Sequence, residues 1–243
     1  MPNHSFEDTI QCPVGLDQLN RCQHWTSYAN SPDYFNVCSQ IDGISPPMVD
    51  FGYQMPVEGE AYTGIATYSI NNPNYREVMG AELLSSLEIG NKYFFSFYAV
   101  LGGLGGGTIA TNKVGILFST IPYNANNPTP INNFSHFSID TILTDTVNWH
   151  FFKGDFVADS AYNYIAIGSF FDDNNTDTVR IAPTLNYHSY FLIDNVCVSS
   201  DSTCNTIVSA SANEILQYNI VLIYPNPSTN TINIKMKTFR LVF

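Results

Sequence analysis

Short runs of apolar and aromatic residues recur along the chain, and polar clusters of Asn, Pro, Gly and Asp separate them. Within a run, apolar and polar positions alternate or the residues are continuously apolar, which is typical of half-buried and buried β-strands. The clearest runs span residues 61–68, 93–100, 114–119, 149–156, 162–171 and 190–198. Helical periodicity is nearly absent, and the best helical candidate is the short segment 81–87. The pattern predicts an all-β fold, an antiparallel β-sandwich or jelly roll.

The pattern changes near residue 200. Residues 199–213 are rich in Ser, Thr, Asn and Ala and lack aromatic side chains, which is typical of a linker. Residues 220–234 then have the pattern of a strand, a turn and a second strand. We therefore predict a β-sandwich domain over 1–198, a linker over 199–219 and a short C-terminal β tail over 220–243. Because so short a tail cannot bury a core alone, we expect it to be the truncated start of a larger unit.

The charge of the chain excludes several classes of partner. The chain has 21 acidic and 9 basic residues, a net charge of −12, and three of the basic residues (Lys235, Lys237 and Arg240) lie near its end. Nucleic-acid binding needs a basic patch, and so does attachment to an anionic membrane surface. The acidic charge of the chain therefore argues against both kinds of partner. Glycines interrupt the apolar segment 93–110, which predicts a buried strand and a loop rather than a membrane span. The 14% of aromatic residues and 12% of charged residues are typical of an extracellular β-protein.

The five cysteines predict two disulfides. Cys197 and Cys204 flank a short polar loop, a spacing that suits a local bridge. The second bridge joins Cys12 to either Cys38 or Cys22 and leaves one odd thiol. Two bridges indicate an oxidising compartment, so we expect the protein outside the cell or on its outer surface.

A proline-braced motif lies in the C-terminal tail. The residues Tyr224-Pro225-Asn226-Pro227-Ser228, followed by residues 231–234, resemble the start of the C-terminal sorting domain of type IX secretion cargo in Bacteroidetes-type bacteria. The resemblance covers about a tenth of the chain. It implies export across the outer membrane, with the type IX secretion machinery as a partner and a surface-attached or released product.

A second resemblance covers residues 2–198. It rests on residues 2–8, Cys12-Pro13, Trp25, and residues 32–38, 51–54, 59–64, 74–77, 90–93 and 190–196. This ordered series resembles the galactose-binding-like jelly rolls found among carbohydrate-binding modules. In such folds the first strand lies beside the last, and a structural calcium often ties the two. The resemblance places Glu7 and Asp194 as side-chain calcium ligands.

Aromatic side chains next to hydrogen-bonding arms are the candidates for sugar recognition, since rings stack on pyranoses while polar groups bond their hydroxyls. The candidates outside the obvious core strands are Trp25, Tyr28, Tyr34, Tyr53, Gln54, Tyr75 and Arg76. Trp25 is also a candidate for packing under the sheets. A second oxygen-rich run, residues 172–177, has the D-x-N-x-D spacing of half an EF-hand loop but lacks its Gly and its distal Glu, so we predict a solvated loop there.

The sequence shows none of the common catalytic motifs, and its five histidines lack ligand spacing. We therefore predict a non-catalytic module that binds a glycan or another surface polymer. The alternative is a structural or adhesive surface subunit that acts through protein–protein contacts. A hydrolase would instead need two carboxylates that face each other across a cleft.

Overall fold

Nearly all the regular structure is β-strand. The computed structural model describes residues 1–103, 107–182 and 188–205, together with the backbone of 216–224 and 233–241. Its strands are β1 Trp25–Ala29, β2 Asp33–Asn36, β3 Met48–Val49, β4 Gly52–Tyr53, β5 Ala61–Ser69, β6 Val78–Glu82, β7 Lys92–Leu101, β8 Ile109–Thr111, β9 Val114–Ser119, β10 Phe137–Ser138, β11 His150–Val157, β12 Tyr164–Ser169, β13 Thr178–Arg180, β14 His188–Ser199, β15 Leu216–Tyr224 and β16 Asn233–Leu241. Three short 3₁₀ helices span Leu19–Arg21, Asp173–Asn175 and Ser202–Asn205. None of the helices in the described ranges is long and apolar enough to cross a membrane.

Two antiparallel five-stranded sheets form the sandwich. The first sheet has the order β1-β6-β12-β9-β10, and the second has the order β11-β7-β14-β5-β2. Strand β14, near the end of this unit, lies in the middle of the second sheet between β7 and β5. Apart from β9 and β10, all neighbouring strands in the two sheets are non-consecutive, as in a jelly roll. The predicted all-β antiparallel sandwich is confirmed.

The core lies between the two sheets because each contributes one apolar face. In β7, Phe95, Phe97, Ala99 and Leu101 are spaced by two and all face the core. Strands β9 and β12 of the first sheet meet them with the same spacing, for example with Phe118. These residues are almost fully buried, and burial of apolar surface on this scale is the main term that stabilises the fold.

The short segment 81–87 is not a helix, so that prediction is wrong. Ala81 and Glu82 end β6. Ala81 lies opposite Trp25 in β1 and opposite Ile165 in β12, and Glu82 lies opposite Tyr164 in β12. Pairing on both edges within the sheet overrides the weak helical tendency of so few residues.

The disulfides join Cys12 to Cys38 and Cys197 to Cys204, and Cys22 is a free, buried thiol. The local bridge is as predicted, and the structure resolves the open choice for the other one. Cys22 packs in the core with Phe6 and Trp25. Burial raises the pKa of its thiol, so it behaves there as a small apolar residue.

The chain divides into two units, Met1–Ile207 and Val208–Phe243. The first unit extends past the predicted boundary because the Cys197–Cys204 bridge ties the helix Ser202–Asn205 to β14. In the second unit, β15 and β16 pair antiparallel over their whole length. The proline motif between them, residues 225–228, lies outside the described residues.

Candidate functional site

The outer face of the first sheet combines small and aromatic residues. Along β6, alternation places Val78, Gly80 and Glu82 on this face while the residues between them enter the core. The ring of Tyr28 on β1 lies directly on Gly80, where any β-carbon would collide with it. Ala166 of β12 lies opposite Gly80 and is another small residue on this face. The face thus has room for an aromatic ring to lie close to the backbone.

Three tyrosines gather on this face. Tyr28 and Tyr123 make an edge-to-face contact with ring centroids 5.8 Å apart. Burial raises the pKa of Tyr28, and its neighbours Tyr164, Glu82 and Tyr123 raise it further. None of the three hydroxyls makes a hydrogen bond with the residues that the structure describes. Tyr28 is 1% exposed, so two accessible phenol groups, those of Tyr123 and Tyr164, and the carboxylate of Glu82 keep their hydrogen-bonding capacity for another molecule.

A long loop, which we call the flap (residues 120–136), covers part of this face. It leaves β9 after Ser119 and reaches the far edge of the sheet, where the backbone N–H of Thr129 donates to the carbonyl oxygen of Tyr28 (3.0 Å). It then returns to the end of β12, where the N–H of Asn133 donates to the carbonyl of Phe170 (3.0 Å). The side chain of Asn133 also donates to Asp172 (3.0 Å). Contacts at the β1 edge and at the end of the central strand β12 hold the flap across the sheet.

A pocket of about 360 Å³ lies where the flap meets the β1 edge. Its wall includes Asn30, Asn74, Arg76 and Thr129, and Val78 forms part of its apolar lining. The volume is at the lower end of the range of about 300–1,000 Å³ that is typical of small-molecule sites.

Arg76 holds the pocket wall in place. It is only 1% exposed, and its guanidinium donates to the carbonyl of Phe171 (3.0 Å), to Asp173 (2.9 Å) and to Thr176 (3.3 Å). Asp173 also accepts from the backbone N–H of Asn74 (2.8 Å) and donates its own N–H to the Asn74 side chain (2.9 Å). The positive charge of Arg76 is thereby compensated, so the pocket does not present a free cation.

A second surface also carries aromatic rings. On the outer face of the second sheet, Tyr98 of β7 and Phe151 of β11 lie opposite each other with ring centroids 4.9 Å apart. Lys153 lies over the Phe151 ring, and Lys92 lies over Phe94 further along β7. This surface is the competing candidate for a binding face.

The structure does not bring the predicted ligand-binding residues together. Trp25 (3% exposed) and Tyr34 (0%) point into the core and have no ring face to offer a ligand, which corrects the expectation for both. Gln54 is also buried, and Tyr75 donates its hydroxyl to Glu77 (2.8 Å). Gln54 and Tyr75 lie in loops and every residue of β2 is buried, so a ring next to a polar residue in the sequence does not indicate exposure.

Tyr53 and Arg76 lie on different parts of the molecule. Tyr53 is 61% exposed on the β3–β4 hairpin, which packs over the second sheet. The next residues of that segment contact Trp149, whose indole N–H donates to the carbonyl of Met55 (2.7 Å). Of the sequence candidates, only Tyr28 and Arg76 lie at the face of the first sheet.

Sequence reasoning missed most of this face. Tyr123, Tyr164, Glu82, Asn30 and Thr129 did not stand out as candidates. The alternation of Val78-Met79-Gly80-Ala81-Glu82 was a usable signal, because it places a glycine and a carboxylate on the face away from the core. Nothing in the sequence shows that the flap folds back onto β1.

The predicted calcium ligands anchor a turn. Asp194 accepts hydrogen bonds from the backbone N–H groups of Val57 (2.7 Å) and Glu58 (3.4 Å). Glu7 accepts from those of Glu60 and Ala61 (both 3.0 Å). Burial raises the pKa of both carboxyls. Calcium needs oxygen lone pairs, and backbone N–H donors occupy part of those of both carboxylates, so the contacts that the structure shows are those of turn anchors.

Within the described ranges, no group of three or more His, Cys, Asp or Glu side chains is placed to hold a metal ion. In the loop 172–177, Asp172 caps the short helix by accepting from the N–H of Asn175 (3.0 Å), and Asp177 accepts from Asn112 (3.0 Å). These contacts are those of a structural loop. Calcium binding by this chain stays a prediction without support from the contacts.

No family model matches the chain, and no curated protein matches it either. Among solved structures, the chain is similar to the CBM22-1 xylan-binding domain of Paenibacillus barcinonensis Xyn10C, with 12% identity over 80% of this chain and 90% of that domain and a TM-score of 0.42. It is also similar to the K1 cleaved adhesin domain of Lys-gingipain from Porphyromonas gingivalis W83, with 13% identity over 81% of this chain and 96% of that one (TM-score 0.41).

A third similar structure is the enzymatically active domain of tailspike protein 4 of bacteriophage CBA120. The identity is 12% over 82% of this chain, and the TM-score is 0.40. This chain spans only 21% of the tailspike chain. At such low identities and TM-scores, the three likenesses carry no argument about what this chain binds.

Proposed function

We propose that the first unit is a carbohydrate-binding module that takes a glycan on the outer face of its first sheet. The observation that carries the proposal is the pair of half-buried tyrosines Tyr123 and Tyr164, whose hydroxyls have no partner among the described residues and which share a face with a pocket. Tyr28, which is 1% exposed, lies beneath them and supports Tyr123. Tyrosine offers an apolar ring to the face of a sugar and a hydroxyl to its edge. Glu82 adds an acceptor for sugar hydroxyls.

The net charge favours a neutral ligand. Among the basic side chains that the structure describes, Arg76 lies at the pocket and pairs with Asp173, and Lys113, over the ring of Phe171, pairs with Asp140. An anionic polysaccharide would be repelled by a protein with a net charge of −12. The module therefore takes neutral sugars.

The module is non-catalytic. Glycoside hydrolysis uses two carboxyl groups on opposite sides of the scissile bond. On the described strands of this face, Glu82 is the single carboxylate. One carboxylate can accept hydrogen bonds from a sugar but cannot supply both the acid and the base of that reaction.

The module acts outside the cell. Two disulfides, Cys12–Cys38 and Cys197–Cys204, support this location because such bridges persist in oxidising compartments. Export by the type IX route is supported by the sorting-domain motif at Tyr224–Ser228. Deletion of residues 220–243 tests the route: in a host with that machinery, the shortened chain should stay inside the cell while the full chain is exported.

One observation favours an adhesive role as the second candidate. Exposed apolar side chains surround the Cys12–Cys38 bridge and the β3–β4 hairpin: Ile10, Val14, Val37, Ile41, Met48, Tyr53 and Met55. Apolar groups grouped in this way are typical of protein–protein contact surfaces. This role would be favoured if the chain binds no glycan but self-associates, and if Met48→Lys abolishes the self-association.

A glycan array probed with the full chain tests the carbohydrate-binding proposal. Saturable binding of at least one neutral glycan is the expected result. Tyr123→Ala should abolish this binding. Tyr53→Ala, which removes an exposed ring from the β3–β4 hairpin over the second sheet, should leave the binding intact. A blank array with folded protein, or loss of binding in Tyr53→Ala alone, would refute the proposed site.

A further inference from the structure

The flap changes what kind of glycan can reach the face of the first sheet. A bare sheet face is open at both ends, so a polymer can lie along it. Here the flap leaves β9, contacts the opposite edge at Tyr28 and returns to Phe170 at the end of β12. It therefore crosses the face and interrupts any path along it. Beside the β1 edge, residues of the flap (Ala125, Pro128, Thr129 and Ile131) form one wall of the pocket.

At this pocket, three side-chain atoms have no hydrogen-bond partner within the described residues: one atom each of Asn30, Asn74 and Thr129. Asn30 uses its amide nitrogen on the carbonyl of Arg76 (2.7 Å) and keeps its side-chain oxygen as an acceptor. Asn74 uses its side-chain oxygen on the N–H of Asp173 (2.9 Å) and keeps its amide nitrogen as a donor. Thr129 is 6% exposed, and its hydroxyl is buried without any hydrogen bond. A buried polar atom without a partner is costly, so the Thr129 hydroxyl marks a place where another molecule completes the structure.

The chemistry of these groups defines the ligand. One acceptor, one donor and one hydroxyl match neighbouring hydroxyls of a sugar ring, each of which both donates and accepts. Val78 and Ile131 supply the apolar surface on which the C–H face of a pyranose can rest. Because Asp173 compensates Arg76, nothing in the lining selects a charged sugar.

We infer that the pocket takes the terminal sugar unit of a neutral glycan chain and not an internal stretch of it. The inference rests on the proposed carbohydrate-binding function and narrows it to chain ends. An internal unit needs room for the chain on both sides of it, and the wall formed by the flap stands on one of those sides. The tyrosine-lined part of the face then contacts the units that follow the terminal one.

Chain length separates this inference from the broader proposal. The full chain is titrated calorimetrically with neutral gluco-, xylo-, manno- and galacto-oligosaccharides of increasing length and with the parent polysaccharides. End recognition predicts one protein bound per glycan molecule at every length. Several proteins bound per long chain would overturn end recognition and leave the proposed function standing. No binding in any series would overturn both.

Thr129→Val tests the pocket itself. The substitution keeps the shape and removes the hydroxyl that lacks a partner, so the melting temperature should stay the same or rise. Affinity for the bound oligosaccharide should fall roughly threefold to tenfold, the effect of one lost hydrogen bond. Thr178→Val, at an exposed position in β13, is the matched control and should change neither value. Unchanged affinity in Thr129→Val would remove the pocket from the binding site.

Discussion

Glu77 should make the protein less stable as the pH rises towards 8. Its carboxyl is 6% exposed and accepts hydrogen bonds from the N–H of Ala66 (2.7 Å) and the hydroxyl of Tyr75 (2.8 Å). The N–H of Glu77 in turn donates to the carbonyl of Ala66 (2.8 Å), so the residue ties the start of β6 to β5 of the other sheet. Burial, and to a lesser extent the nearby charge of Asp33, raises the pKa of Glu77 from 4.5 to about 8.

The sign of the effect follows from the proton count. Between about pH 4.5 and 8, the folded chain keeps a proton on Glu77 that the unfolded chain has released. The folded state binds more protons over this window, so its stability falls as the pH rises. At about 1.4 kcal/mol per pKa unit, the loss between pH 5 and 8 is on the order of 3 kcal/mol. For a domain of this size that lowers the melting temperature by roughly 6–12 °C.

Glu77→Gln removes the titration and keeps a neutral group of the same shape. Its amide oxygen can still accept from Ala66, and its amide nitrogen can donate to the hydroxyl of Tyr75. The melting temperatures of the wild type and of Glu77→Gln are measured from pH 5 to 8. The difference between them at each pH reports the titration of Glu77. The variant should approach and then exceed the wild type as the pH rises, whereas Glu60→Gln, at an exposed carboxylate, should follow the wild type. Parallel curves for the wild type and Glu77→Gln would refute the reasoning.

Three further predictions concern a disulfide, a histidine and calcium. Replacing Cys12 and Cys38 by serine opens a loop with a sequence separation of 26 and should cost about 3 to 4 kcal/mol in denaturant unfolding; an unchanged midpoint would contradict this. Burial lowers the pKa of His136, so the wild type should lose stability relative to His136→Asn as the pH falls below 6.5. Melting curves with millimolar calcium and with chelator should coincide, since N–H groups occupy the Glu7 and Asp194 carboxylates; a higher melting temperature with calcium would restore the metal site.

The strands were predictable because their cause is local. Alternation in β7 and in β9 places one apolar side chain in two towards the core, and the sequence carries that pattern directly. The same reasoning could not foresee which strands pair. Strand β14 lies between β5 and β7, far from both in sequence, and only the packing of the whole core selects that order.

The candidate site was less predictable, since it depends on where long segments fold back. Tyr53 and Tyr28 are both tyrosines next to polar residues in the sequence. The structure places Tyr53 on a hairpin over the second sheet and Tyr28 on Gly80 in the first. The Thr129 hydroxyl becomes informative only once the flap contacts β1, which no local pattern encodes.

The carboxylates Glu7 and Asp194 illustrate a different limit. Both contact the turn 57–61, Glu7 from the segment that precedes β1 and Asp194 from β14. Their role differs from the expected one because the backbone N–H groups of that turn point at them. A carboxylate that binds a metal and one that anchors a turn have the same sequence signature, and only the partner atoms distinguish them.

The most direct test of the account is to map the bound glycan on the protein by NMR. The strongest neutral ligand from the array is titrated into isotope-labelled full chain, and the backbone amide signals are followed. The account predicts shifts at Tyr28, Gly80 and Thr129 on the first sheet, with Tyr98 and Phe151 on the second sheet unchanged. Shifts confined to Tyr98 and Phe151 would contradict it and move the binding site to the other face of the sandwich.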